Sequence, residues 1–188
     1  MALLDDAAKK SLLQRARHVI AKAIGVTPAA DPIPTPQLPI PGELRAGAFV
    51  TLRVRGNLRG CIGYPEPELL LVEVIDRCAV SAALADPRFP PLSADEWDEI
   101  DLELSILGPI EPAHDIRDVV IGRDGLIVEF GRRRGLLLPQ VAVEWKWDAE
   151  EFACQTCVKA GLPKDAWQKG AKLFKFEAEV FGELPESR

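Results

Sequence analysis

The sequence predicts an α+β fold, with helices packed on an antiparallel sheet, and three observations lead to it. Residues 101–107 and 172–181 alternate between apolar and polar side chains, which is typical of half-buried strands. Residues 12–23 instead repeat apolar side chains at helical spacing. Two β-prone runs, 48–54 and 58–63, flank a turn containing Gly and Asn and indicate a hairpin. Because the strands and helices do not alternate as βαβ units, we expect an antiparallel sheet.

The composition indicates one globular domain over residues 1–188, or two small lobes, with enough chain to bury a core. The net charge of −6 disfavours non-specific binding of nucleic acid, although a local basic patch could still bind it. No apolar run reaches the roughly 18 residues needed to cross a bilayer, and the N-terminus lacks the basic residues of a signal peptide. We therefore expect a cytoplasmic protein whose four cysteines are reduced thiols.

The N-terminal segment predicts a helix followed by a connector. Asp5 or Asp6 can cap the helix, which runs to about Ile24, and Gly25 ends it. Six prolines lie between residues 28 and 41 and exclude a helix or a central strand there. This Pro-rich segment, 28–41, is therefore predicted to be an extended surface connector.

The register of the first hairpin decides which of its side chains face the core. A three-residue loop, 55–57, makes one face of the hairpin apolar, whereas a two-residue loop would place an arginine on that face. The predicted pairs are Val54 with Leu58, Leu52 with Gly60, and Val50 with Ile62. Asn57 then takes the left-handed conformation at the end of the loop. Arg59 and Cys61 become neighbours on the face turned away from the core.

The middle of the chain predicts a helix, a rigid loop and a strand. Pro65 and Pro67 precede a helix over residues 68–85. The prolines of residues 86–91 then form a rigid loop, and the capping-box pattern from Ser93 begins a short helix. The strand over 101–107 follows, with Glu103 and Ser105 on its polar side.

The C-terminal part predicts two more hairpins, a helix and a closing strand. Asp124 and Gly125 indicate a turn between strands over 119–121 and 126–130. The next turn, over 131–135, carries three arginines; it is most simply a solvated turn, with phosphate binding as the alternative. Asp148 caps a helix that ends at Gly161, and the strand over 172–181 closes the fold.

Four short blocks of the chain, taken in order, carry a family resemblance. They are Leu58–Gly63, Asp86–Leu92, Leu138–Ala142 and Lys159–Leu162. Together they resemble the AMMECR-one family, also called component A of the AmmeMemoRadiSam system, and the resemblance runs over about residues 8–183. It implies an α+β fold with a larger and a smaller lobe and a cleft between them. No established activity comes with the family, so the resemblance predicts the fold and leaves the reaction open.

The resemblance also implies partners. Domains of this family are linked with a Memo-like protein and a radical S-adenosylmethionine enzyme, which suggests a shared modification pathway in which this component recognises the substrate. They have been compared with folds that bind nucleic acids and nucleotides, but the acidic net charge disfavours such a role here. No cofactor and no metal site is predicted, since the chain has two histidines and lacks a P-loop.

Cys61 is the leading candidate for chemistry. Arg59 lies beside it on the predicted face, which Arg53 shares, and positive neighbours would lower the pKa of its thiol. Such a thiolate could act as a nucleophile, a one-carbon acceptor or a redox thiol. Gly60 and Gly63 leave the backbone bare, so that a ligand or another chain can approach. The plain alternative is that Cys61 is a small residue filling a tight hairpin.

Arg88, Asp86 and Glu103 are the other candidate site residues. The rigid loop could hold Arg88 beside an anionic ligand group, or Asp86 and Arg88 could simply brace the loop. Glu103 could supply a general base if its strand neighbours the hairpin, and is otherwise part of a solvated face. Cys154 and Cys157 lie well inside a helix and are interpreted as structural.

Two hypotheses for function therefore follow from the sequence. In the first, the protein is a small enzyme or substrate-recognition component that uses the Cys61 thiol, with Arg59 and Arg88 binding an anionic group. In the second, it is a non-catalytic adaptor or binding module for a peptide, a nucleotide or nucleic acid.

Overall fold

The structure is a computed structural model that describes residues 4–28, 39–40 and 43–183. Its helices and strands are α1 (Asp6–Ala23), β1 (Ala48–Val54), β2 (Asn57–Tyr64), α2 (Leu71–Leu84), β3 (Ile100–Leu107), β4 (Glu111–Pro112), β5 (Asp124–Phe130), β6 (Arg133–Leu137), α3 (Pro139–Glu144), α4 (Ala149–Lys159) and β7 (Lys172–Gly182). Short 3₁₀ helices lie at Ala94–Glu99, Ile116–Asp118 and Ala166–Gln168. The α+β prediction is confirmed, because helices accompany strands that pair antiparallel.

Most of the Pro-rich segment lies outside the described residues, namely 29–38, 41 and 42, so the predicted connector stays a prediction. Within the part of the chain that is described, the helices are too short or too polar to cross a membrane. The described chain divides into two compact units. Unit 1 contains the residues up to Ile106 and those from Glu179 onward, and unit 2 is Leu107–Ala178. Strand β7 therefore begins in unit 2 and ends in unit 1.

Unit 1 is an antiparallel sheet with helices on one face. Its strands follow the order β2–β1–β3, and the end of β7 comes next to β3. Alternate residues of β1, Val50 and Leu52, are fully buried in one core with the stripe of α1 that contains Leu12 and Ile20. Burial of each such side chain contributes about 1.5–3 kcal/mol. The predicted cap of α1 is present, because Asp5 accepts a hydrogen bond from the Ala8 amide at 2.8 Å.

The turn of the β1–β2 hairpin is shorter than predicted. It has two central residues, Arg55 with φ of 51° and Gly56 with φ of 79°, as in a type I′ turn. Val54 pairs with Asn57, so the predicted pair of Val54 with Leu58 and the left-handed Asn57 are wrong. The left-handed positions that the twist of a hairpin requires fall on the two residues before Asn57 instead.

A bulge restores the predicted face of this hairpin. The register shifts between Leu52 and the next residue of β1, and Arg59 is the extra residue on β2. Beyond the bulge Leu52 pairs with Gly60 and Val50 with Ile62, as predicted. The shorter turn and the bulge offset each other, and this is why the apolar face is predicted correctly from a wrong loop length.

Unit 2 contains strands in the order β7–β5–β6, with β4 beside β7. Helix α4 packs on β5 and β6. Leu126 and Phe152 are fully buried in one apolar cluster, and Val128 and Cys157 are fully buried in a second. The closing strand and the helix capped by Asp148 appear where the sequence predicts them, with the Asp148 carboxylate accepting from the Glu151 amide at 2.8 Å.

The predicted hairpin before β5 is wrong. Residues 119–121 form no strand but follow a 3₁₀ helix and turn directly into β5. The turn is held by the buried Asp124 carboxylate, which accepts from the Val120 amide at 2.9 Å and from the Arg123 guanidinium at 2.7 Å. Residues 119–121 therefore form a turn, despite their strand propensity, because the Asp124 side chain stabilises it.

The arginine-rich turn is also shorter than predicted. Gly131 and Arg132 form the turn between β5 and β6, while Arg133 and Arg134 already belong to β6. Arg133 donates to the Gly161 carbonyl at 2.5 Å, and Arg134 pairs with Glu129 at 3.0 Å. Two of the three arginines are therefore occupied by contacts within the protein.

Candidate functional site

Cys61 lies on β2, on the face opposite to the core that α1 and α2 cover. Its partner on β1 is Thr51, whose hydroxyl donates to the Cys61 sulfur at 3.3 Å. Thr51 also pairs with Glu103 on β3, so the three residues form one row across three strands. The structure therefore brings Glu103 to the face that carries Cys61. Two strand spacings, about 10 Å, separate the two backbones, and Thr51 lies between them.

The thiol of Cys61 is not activated by its surroundings. Burial raises its pKa, while the hydrogen bond from Thr51 and the charge of Arg88 act in the opposite direction. The carboxylates of Asp86 and Glu103 raise the pKa further, and the net change is an increase. This direction is opposite to the one expected from neighbouring arginines, because burial, with a smaller contribution from the two carboxylates, outweighs the effects of Thr51 and Arg88 on the pKa of the thiol.

Arg59 is occupied away from the thiol. Its guanidinium donates to the Glu96 carboxylate through Nε at 2.7 Å and through Nη2 at 3.0 Å. Nη1 also donates to the Pro90 carbonyl at 2.9 Å. The Arg59 hydrogen bonds, with that from the Ser93 amide, lower the pKa of Glu96 to about 2. Arg59 therefore ties β2 to the segment after α2, and its charge is matched by Glu96.

Asp86 is a buried carboxylate that is held by several hydrogen bonds. Its side chain is 2% exposed, and it accepts hydrogen bonds from the Cys61 amide at 2.9 Å and from the Arg88 amide at 3.1 Å. The Arg88 guanidinium adds two more, through Nε at 2.9 Å and Nη2 at 2.7 Å. These bonds, the guanidinium first, hold the pKa of Asp86 far below its usual range. The brace expected between Asp86 and Arg88 is present, and it bonds to the backbone of Cys61.

This brace covers the edge of the sheet. Among the described residues, β2 is the strand at one end of the sheet, so no described strand pairs with its outer edge. Alternate residues of an antiparallel strand turn their main-chain groups outward, and at Cys61 both groups are bonded. Asp86 accepts from the amide, and Arg88 Nη2 donates to the carbonyl at 3.3 Å. Two side chains thus replace a neighbouring strand at this residue.

The two glycines of the motif are explained by the protein's own packing. A Cβ at Gly60 would lie 2.2 Å from the carbonyl oxygen of Ala82 on α2. A Cβ at Gly63 would lie 2.1 Å from the ring of Phe49. The close approach predicted at these glycines is therefore made by a helix and an aromatic ring.

Cys154 and Cys157 lie on α4 in unit 2. Cys157 is buried and Cys154 partly buried, and both are free thiols, which agrees with their structural interpretation. Across residues 4–28, 39–40 and 43–183, no group of three or more His, Cys, Asp or Glu side chains is arranged to hold a metal ion.

Unit 2 contains a cleft that sequence reasoning missed, and we call it the unit 2 cleft. It has a volume of about 630 Å³ and lies between the loop 112–116 and the segment 167–174. Trp167, Lys172 and Phe174 contribute to it from that segment. These two stretches are more than fifty residues apart in sequence, and no spacing rule joins them. Sequence reasoning also missed the contacts of Thr51 with Cys61 and of Glu96 with Arg59, because it identified Thr51 only as a strand residue and Glu96 only as a capping residue.

Comparisons with known proteins agree on a family. The AMMECR1 family model matches residues 13–181. The chain is similar to a protein of Methanothermobacter thermautotrophicus, 53% identical over 146 residues that cover 74% of this chain and 76% of that protein. It is also similar to Protein MJ0810 of Methanocaldococcus jannaschii, 49% identical over 149 residues that cover 74% of each. The crystal structure of the uncharacterized protein PH0010 from Pyrococcus horikoshii matches with a TM-score of 0.87 and 42% identity, over 97% of this chain and 94% of that one. The chain therefore belongs to the AMMECR1 family.

Proposed function

We propose that this protein is a non-catalytic recognition component, which binds the substrate of a modification pathway and presents it to partner proteins. The observation that carries this proposal is the surroundings of Cys61. Arg59, which is expected from the sequence to activate the thiol, instead pairs with Glu96, and Asp86 and Arg88 bond to the main chain of Cys61. Burial raises the pKa of the thiol. A thiol that stays protonated at neutral pH is a poor nucleophile.

The arginines of the motif support the same conclusion. A free guanidinium is needed to bind an anionic substrate group with two hydrogen bonds. Arg59 is already paired in this way with Glu96, and Arg88 with Asp86. Binding an anion at either residue would require breaking an internal ion pair. The motif is thus better suited to maintaining a rigid surface than to holding a charged substrate.

The partners in this proposal are those that the family resemblance implies, a Memo-like protein and a radical S-adenosylmethionine enzyme. A recognition component needs a rigid scaffold and a binding surface but no reactive group of its own. Nucleic acid is the less favoured substrate, since the chain carries a net charge of −6. An enzyme acting through Cys61 is the competing hypothesis, and thiol reactivity separates the two.

The test is alkylation of the four thiols over a range of pH, with each site quantified by mass spectrometry. We expect Cys61 to react slowly at neutral pH and to titrate above the ordinary value of about 8.5. Cys154, a partly buried thiol on α4, serves as the internal comparison. Fast reaction of Cys61 with an apparent pKa well below 8.5 would overturn the proposal.

A second measurement addresses binding directly. The Cys61→Ser variant should retain the affinity of the parent chain for the purified Memo-like protein and radical S-adenosylmethionine enzyme, within about threefold, in a pull-down or by calorimetry. A folded Cys61→Ser variant that loses this binding, or a parent chain that binds neither partner, would contradict the proposed role.

A further inference from the structure

The unit 2 cleft has the volume of a small-molecule site, and part of its lining is packed against the apolar core. Its volume of about 630 Å³ lies within the range of ligand pockets, roughly 300–1,000 Å³. Ala113, Ile116, Trp167 and Leu173 line it and also belong to, or pack against, the apolar cluster around Phe152. A core contact holds these side chains in place, so the cleft is largely formed before any ligand arrives.

The walls of the cleft favour a flat, apolar body. Trp167 and Phe174 both line it, one from the 3₁₀ helix Ala166–Gln168 and one from the start of β7. Aromatic rings gain most from other rings that stack on them or meet their edges. The facing loop is fixed against β7, because the Ala113 amide donates to the Leu173 carbonyl at 2.9 Å.

Several polar groups at the cleft lack partners within the described chain. His114, Gln168 and Lys172 line the cleft, and none of their side chains forms a hydrogen bond or an ion pair with the described residues. The indole N–H of Trp167 is buried and has no acceptor among those residues either. A buried donor without an acceptor is costly and uncommon in native proteins. The indole N–H is closed off from solvent, whereas Gln168 and Lys172 are exposed at the cleft and can donate hydrogen bonds to a ligand there.

The cleft lining has one acidic and one basic residue, and of these two only the acid has an ionic partner within the described chain. Asp115 is its acidic lining residue, and Arg117 neutralises it through the main-chain amide at 2.8 Å and the guanidinium at 2.9 Å. The cross-strand neighbour of Lys172 is Glu129, but Glu129 pairs with Arg134 at 3.0 Å. The ammonium group of Lys172 therefore remains as the uncompensated charge of the lining.

We propose that the unit 2 cleft binds a small aromatic carboxylate, with its ring against Trp167 and Phe174 and its carboxylate facing Lys172. Gln168 supplies a further hydrogen-bond donor. The inference rests on the proposed function, because it names the class of substrate that the recognition component would hold. Neutral aromatics fill the same space but leave the Lys172 charge uncompensated, and aliphatic acids match the charge but not the rings.

The test is a titration of the full ¹⁵N-labelled chain with naphthalene-2-carboxylate, followed by two-dimensional NMR. The Trp167→Phe variant identifies the Trp167 indole signal among the four tryptophans. We expect this signal to shift in a saturable way. Naphthalene-2-carboxamide, which has the same ring without the charge, should bind at least tenfold more weakly.

Matched lysine variants test the charge. Lys172→Gln should weaken binding of the carboxylate at least tenfold, and its remaining cross-peaks should overlay on those of the parent chain. Lys169→Gln removes a lysine that pairs with Asp165 and does not line the cleft, and it should bind within twofold of the parent. This pair distinguishes a site at Lys172 from a general loss of positive charge.

Three results would overturn the inference. They are the absence of a saturable shift, equal binding of the carboxylate and the carboxamide, and full binding by Lys172→Gln. Shifts confined to Trp145, which is 66% exposed and stacks on Trp147, would indicate adhesion to an exposed aromatic surface and would count against the cleft as well. None of these results depends on thiol reactivity, so the proposed function stands or falls separately.

Discussion

Replacing Asp86 by Asn should destabilise the protein by about 2–3 kcal/mol. The carboxylate accepts four hydrogen bonds, two of them from the Arg88 guanidinium. An amide keeps one acceptor oxygen and turns an NH₂ group toward a cation. Breaking a buried ion pair costs roughly 3–5 kcal/mol, but the Arg88 side chain is 49% exposed, and water replaces part of what it loses. This exposure is why the expected loss lies below that range.

Thermal unfolding followed by circular dichroism measures the loss. For a chain of 188 residues, about 2–3 kcal/mol corresponds to a midpoint lowered by about 5–10 °C. Asp115→Asn is the matched control, because Asp115 and Arg117 repeat the same Asp-x-Arg hydrogen bonds at the surface, with side chains 39% and 86% exposed. Its midpoint should change little. A midpoint for Asp86→Asn within 2 °C of the parent, or an equal loss in both variants, would refute the reasoning.

The same variant carries a pH signature. The pKa of Asp86 is depressed in the folded state, so the stability it contributes is present above its unfolded value of about 4 and is lost as the pH falls below it. As the pH falls through this range, the unfolded parent takes up a proton at this carboxyl group while the folded parent keeps it ionised, so the advantage over the Asn variant decreases. The difference in stability between the two chains should therefore shrink steadily from pH 5 downward. A constant difference would show that the charge of Asp86 is not what holds the brace.

Three further substitutions test other parts of unit 1. Gly60→Ala places a methyl carbon 2.2 Å from the Ala82 carbonyl and should lower the free energy of urea unfolding by about 3 kcal/mol, whereas Gly108→Ala, with its nearest atom at 3.3 Å, should cost much less. Arg55→Asn relieves a side chain held at φ of 51° and should raise the thermal midpoint by 1–2 °C; a lower midpoint would argue against the type I′ turn. Glu96→Gln removes a carboxyl group with a pKa of about 2, so this variant should lose less stability than the parent between about pH 4 and pH 2.

Elements with one long side-chain period are predicted closely from the sequence. The alternation over residues 101–107 predicts a strand found at Ile100–Leu107, and the closing strand over 172–181 is found at Lys172–Gly182. Such a period records a surface that is buried on one side over its whole length, and local turns do not disturb it. Helix α2 begins at Leu71 rather than at residue 68, which is an ordinary error of one turn at a helix end.

Short segments are where the sequence misleads. Residues 119–121 have strand propensity, yet the Asp124 carboxylate closes a turn over them, because three residues contribute too little to outweigh one buried hydrogen-bonded charge. In the first hairpin a bulge at Arg59 compensates a turn that is one residue shorter than predicted. Each device depends on a contact that the local sequence does not specify.

The candidate site shows a related limit. The sequence places Cys61, Asp86 and Arg88 among the candidates, and the structure does join them. The sequence does not show, however, which acidic side chain each arginine pairs with. Arg59 lies two residues before Cys61 in the sequence but pairs with Glu96, which lies thirty-seven residues further along the chain. The pKa of Cys61 is raised because the thiol is buried and because Arg59 pairs with Glu96 instead of the thiol. Both features are set by tertiary packing.

The covering of β2 by Asp86 and Arg88 has a consequence for the association of the chain with itself. A further strand can pair with a sheet edge only where main-chain amides and carbonyls are free, and here Asp86 and Arg88 occupy those of Cys61. The number of strands is thus controlled by residues outside the sheet. A chain that lacks Asp86 would offer this edge to β2 of a second copy. Such a variant should form dimers or larger species as concentration rises, while the parent chain gains no such tendency from this edge.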